Sequence, residues 1–108
     1  HVLLDTSAEL PLYRYFRDAP GGFDSTRFAS VRRLGTIAAI RQMAIEGAGI
    51  AVLPRYFVAP DLKARRLVRV MPRVQPLHDH FRLIFRSDDA RRGLFETLGR
   101  ALRAVPLR

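Results

Sequence analysis

Glu46-Gly47-Ala48-Gly49-Ile50-Ala51-Val52-Leu53-Pro54 is the stretch that decides the fold. Ile50 to Leu53 is apolar at every position, so neither side of the strand is meant for water. Such a run suits a strand central in a sheet covered on both faces. Pro54 ends its pairing, because proline brings no N–H to a ladder. Gly47 is placed to stop the segment before it. In that segment Ile37, Ile40, Met43 and Ala44 recur at helical spacing behind Thr36, whose hydroxyl suits a helix N-cap. A helix running straight into a buried strand is half of a βαβ unit, whose crossovers make a parallel sheet.

Working outward, Arg27 to Leu34 alternates in character and reads as a strand, and Val2-Leu3-Leu4 reads as a buried one ending in the polar turn Asp5-Thr6-Ser7. Pro11 opens a short helix with Leu12, Tyr13, Tyr15 and Phe16 on its apolar face, and Pro20-Gly21-Gly22 breaks the chain. Downstream, Tyr56 to Ala64 suits a short helix weakened at Pro60. Leu67 to Met71 and His80 to Arg86 read as two further strands. A final helix, offered caps by Ser87, Asp88 and Asp89, carries Leu94, Leu98, Ala101, Leu102 and Val105 on one stripe. The expected fold class is α/β, a mostly parallel five-stranded open sheet with flanking helices.

The chain has 108 residues, 48% of them hydrophobic, enough for one domain with one core. Without cysteine it has no disulfide or thiolate metal site, and a reducing cytoplasm is allowed. No apolar run approaches the roughly 20 residues that span a bilayer. The chain opens on His1-Val2-Leu3-Leu4-Asp5 with neither an initiator Met nor a signal region, which leads us to expect a segment of a longer polypeptide. The net charge of +9 comes from 18 Arg and one Lys against 10 acids. It is dispersed along the whole length, the pattern of a solvated surface more than of a nucleic-acid footprint.

In an open parallel sheet, ligands collect at the carboxyl ends of the strands, where helix N-termini present unpaired N–H groups. That points first to Leu34-Gly35-Thr36-Ile37. Gly35 allows close backbone approach, and the Thr36 hydroxyl can donate to a carboxylate or simply cap its helix. Pro54 and Arg55 close the next strand at the same edge, where Arg55 either pairs with an anion or is merely solvated. Thr6, with Asp5 and Ser7, ends the first strand at that edge, either open to a ligand or in a turn bonded to its own backbone. His78-Asp79-His80 has two imidazoles but no third ligand cluster to make a metal site. No catalytic constellation and no cofactor signature is legible, so we expect a binder and not an enzyme.

The Glu46 to Pro54 stretch, followed by a helix, Leu62, Arg66-Leu67-Val68-Arg69-Val70 and Pro72, resembles the second half of the effector-binding domain of LysR-type transcriptional regulators. The resemblance implies the second lobe of a fold like that of type 2 periplasmic binding proteins. Residues 1–87 would be that second subdomain and residues 88–108 a helix returning to an absent first one. It also implies an effector in the cleft between lobes, with Gly35, Thr36, Ile37, Pro54, Arg55 and Thr6 as candidate contacts. The implied protein is a bacterial homo-oligomer in the cytoplasm that senses a small molecule such as a carboxylate. It would touch DNA only through an N-terminal helix-turn-helix outside these residues, and no membrane. The alternative is a lobe of a transport solute-binding protein of the same ancestry. A stripe made for an absent lobe would be left partly uncovered.

Overall fold

The computed structural model describes residues 1–105. Pro106 to Arg108, the end of the expected returning segment, lie outside the described residues. The chain divides into two compact units, residues 1–78 and 79–108. Among the described residues no helix is long and apolar enough to cross a membrane.

The first unit is built on a three-stranded sheet of β1 (Val2–Asp5), β2 (Ser30–Arg33) and β3 (Ile50–Ala51). The order is β2-β1-β3, and both pairings are parallel. Val2 pairs with Ser30 through Asp5 with Arg33, and Leu3 with Ile50. Leu3 and Leu4 are both buried, so β1 is covered on its two faces, since successive side chains point to opposite sides. Leu3 packs with Tyr13 and Phe16, and Phe23, Phe28, Val52 and Val74 pack around them. The rings meet at 5.2 to 5.5 Å with edge-on contacts between Tyr13 and Phe28 and between Phe16 and Phe23. The Tyr13 hydroxyl donates to the Phe23 carbonyl at 2.8 Å, which satisfies the polar tip of a buried ring.

Tyr13 and Phe16 are placed by the single-turn helix α1 (Arg14–Arg17), the short helix expected after Pro11. Helix α2 (Ile37–Ile45) packs closely on β1 and β3 and buries Ile40 completely. It stops where the glycine predicts. Gly47 takes a left-handed φ of 78°, its N–H reaches the Ala44 carbonyl, and the Ala48 N–H reaches that of Met43. This is the paired bonding of a Schellman end. Helix α3 (Arg55–Lys63) accommodates Pro60 on its exposed side and buries Val58 and Asp61.

Two sheet expectations are corrected. The Ile50 strand lies at an edge and not at the centre, because both partners pair with β1. Its ladder also ends at Ala51, and Val52 turns to pack on the aromatic cluster instead. The sheet has three strands among the described residues and not five. Leu67 to Met71 and His80 to Arg86 form no ladder. The first run is bracketed by left-handed residues, Arg65 with φ 58° and Met71 with φ 54°, which extended backbone does not allow. In the second, Phe81 and Ile84 stand 75% and 85% exposed. Strand propensity is realised through ladder pairing and burial, and among the described residues neither run joins a ladder.

The second unit consists of that extended stretch and helix α4 (Arg92–Ala104). None of the three expected caps serves: the N-cap is Arg91, with no side-chain cap bond, and Asp89 instead accepts the Arg91 N–H at 2.8 Å in the turn before the helix, while Asp88 pairs with Arg86. Phe85 and Phe95 meet at 5.1 Å. Leu94, Leu98, Leu102 and Val105 of the apolar stripe are all exposed, from 44% at Leu98 to 75% at Val105.

Candidate functional site

Because all three strands run the same way, their carboxyl ends share one edge, and the six candidate residues all fall there. Thr6 follows β1, Gly35 to Ile37 follow β2 and open α2, and Pro54 and Arg55 follow β3 and open α3. The edge at β1 and β2 is tied together by backbone and side chain. The Leu34 N–H donates to the Asp5 carbonyl at 2.8 Å, and Arg33 Nη1 donates to the Thr6 carbonyl at 3.1 Å.

Asp5 is buried and turned inward. Its carboxylate accepts the N–H groups of Thr6 and Leu12 at 2.8 Å and that of Tyr13 at 3.4 Å. A buried charge held by backbone donors organises a loop, here the passage from β1 to α1. The Thr6 hydroxyl donates to the Leu10 carbonyl at 2.9 Å, within the same loop. Asp5 and Thr6 thus shape the rim, with their polar atoms engaged in holding it.

Thr36 is the N-cap of α2. Its Oγ1 accepts the Ala39 N–H at 3.1 Å, and the residue remains exposed. Capping uses the oxygen as acceptor and leaves the hydroxyl proton able to donate outward. Gly35 is exposed, with open space where a side chain would be, and Ile37 is half-buried behind it. Pro54 is the N-cap of α3 and brings no side-chain hydrogen bond, so the first N–H groups of that helix meet no side chain of their cap. Arg55, the first residue of α3, is exposed. Two nine-residue helices therefore open toward one edge, each with the partial positive charge of its N-terminus.

Behind this edge lies a cluster that the sequence does not advertise. Asp61 of α3 is fully buried and takes a two-bond fork from Arg41 of α2, with Nε and Nη2 at 2.6 and 2.8 Å. Arg66 adds Nε and Nη2 at 3.0 and 2.7 Å, both to Oδ1. The Arg41 fork is the chief reason the Asp61 carboxyl falls to about 2, against the opposing pull of burial, with Arg66 adding to it. Arg41 is raised in turn by the same contact. Its guanidinium also lies 5.7 Å from the centre of the Phe57 ring, on the first turns of α3. One signal was available. Asp61 stands three residues after the buried Val58, on the apolar stripe of its helix, where an acid needs a partner.

The second unit carries an open groove of about 1230 Å³ between the stretch from Asp79 to Phe85 and α4, floored by Phe95, Gly99 and Leu102. None of the six candidate residues lines it. Asp79 near it is occupied by the His80 N–H and Arg82. No three His, Asp or Glu side chains among the described residues come together as a metal site.

Compared with known proteins, the chain matches the family model of the LysR substrate binding domain over residues 4–106. The curated proteins and the solved structures give no match.

Proposed function

The chain belongs to the LysR substrate binding domain family, and from that membership we propose that it senses a small-molecule effector for a bacterial LysR-type transcriptional regulator. The family binds regulatory ligands and is not a catalytic one. The observation that carries the reading is the match itself, which runs almost the full length of the chain and takes in both units.

In this reading residues 1–87 are the second lobe and residues 88–108 the segment returning to the first. The effector lies against the carboxyl edge of the sheet, where Gly35, Thr36 and Ile37 on one side and Pro54 and Arg55 on the other meet it, with Thr6 on the rim. Two helix N-termini and an exposed Arg favour an anion such as a carboxylate. Effector binding then biases the arrangement of lobes and, through it, DNA-binding domains elsewhere in a cytoplasmic homo-oligomer. The uncovered stripe of α4 is consistent with a surface meant for another lobe.

Calorimetry tests this. A carboxylate effector found by screening the full-length regulator should bind it well and bind this chain far more weakly. Equal affinity for both would remove the cleft between lobes from the reading.

A further inference from the structure

We propose that Asp61 is a positioning residue for the effector site, setting how the N-termini of α2 and α3 stand relative to each other. The inference rests on the reading of the sheet edge given above. Helix α2 is fixed by close packing on β1 and β3, whereas α3 makes no comparably close backbone contact with any element among the described residues. Val58 is buried and Phe57, Ala59 and Leu62 are half-buried along α3, and to this apolar packing the Asp61 cluster adds a directional link to α2.

The geometry of that cluster suits the task. Arg41 lies about 6 Å along α2 from Ile37, and Asp61 about 9 Å along α3 from Arg55, at 1.5 Å per residue. The fork therefore joins the two helices one to two turns behind the ends that face the edge. A bidentate guanidinium–carboxylate pair fixes angle as well as distance, because its two N–H bonds are parallel and coplanar. Arg66 binds the same carboxylate from the chain just beyond α3, and its backbone N–H donates to the Asp61 carbonyl at 2.9 Å, which closes the end of the helix around that carboxylate. Apolar packing is non-directional, so without the fork α3 loses the contact that fixes its angle to α2, and Arg55 and the first N–H groups of the helix shift with it.

Asp61→Asn is the direct test, since it keeps the shape but turns an NH2 group toward guanidinium donors. Residual dipolar couplings of the backbone amides in the free chain should show α2 and α3 each intact but reoriented relative to each other. Acetate, the minimal carboxylate, titrated against a chloride control, should shift the amides of Thr36 to Ala39 and Arg55 to Phe57 in the wild type. In the variant its affinity should fall about fivefold or more. Arg41→Lys, which keeps charge but loses the fork, should reproduce both effects in part and serves if Asp61→Asn does not fold. An unchanged interhelix orientation overturns the proposal, as does a changed orientation with unchanged acetate affinity. Silence of the wild-type amides toward acetate instead overturns the underlying reading of the edge, and is told apart because no Asp61 variant is involved.

Discussion

Single residues around the sheet carry separable duties. Asp61 titrates near 3.8 in an unfolded chain and near 2 in the fold, so the native state binds fewer protons between those values. Its contribution is complete above about 3.8 and is lost as the pH falls toward 2. Acid unfolding followed by circular dichroism should show a drop in stability through that window which Asp61→Asn flattens. Thr36→Ala removes the cap of α2 and should cost about 1 kcal/mol, while Thr36→Ser keeps it. Urea unfolding of the two variants separates the structural duty of the hydroxyl from any contact with effector. Gly49 is demanded by close approach. A Cβ there would stand 2.5 Å from the Val2 carbonyl oxygen and 2.9 Å from Leu4 Cγ. Gly49→Ala should destabilise by about 1–3 kcal/mol in the same assay, because the obstructing oxygen belongs to the central strand and cannot yield. The cap at Thr36 and the stop at Gly47 were legible in sequence, since both rest on bonding within one turn. Asp61 shows in sequence only as an acid on an apolar stripe, because its main partner lies twenty residues upstream, on a different helix.

At the scale of elements, legibility followed locality again. The helices from Ile37 and from Arg55 and the strands at Val2 and Ser30 carry their own periodicity and end signals, and they form close to where those signals put them. The failures are strands. Leu67 to Met71 and His80 to Arg86 have the composition of strands, but a strand is a relation between two segments, and the sequence does not print the second. Helix α4 has the opposite character. Its stripe was legible and it is a regular helix, yet Leu94, Leu98 and Leu102 face solvent. Leu98→Gln with Leu102→Gln should leave the stability of the chain within about 0.5 kcal/mol per site, as surface changes do. The same pair should reduce self-association in analytical ultracentrifugation, since an exposed apolar stripe is a surface for contact. A loss of several kcal/mol would mean that the stripe is packed.

For the whole molecule, charge and topology set different terms. The +9 charge is broken up by ion pairs, with Arg17, Arg82, Arg86, Arg91 and Arg92 each bonded to a neighbouring carboxylate and Arg41 and Arg66 committed to Asp61. We accordingly expect no sequence-selective retention of duplex DNA by this chain in gel-shift assays, and selective retention would contradict the division of labour proposed above. Topology bears on timing. The first strand is the hinge of the whole sheet: Val2 waits for Ser30, and Leu3 waits for Ile50. During synthesis Leu3 and Leu4 leave the tunnel before either of the strands that they pair with here, and the ladder cannot close until the third strand has followed. Two long parallel closures ending on a single strand make folding slow for a chain of this size. Leu3 and Leu4 thus stay uncovered on the nascent chain until residues 30 to 51 have followed them.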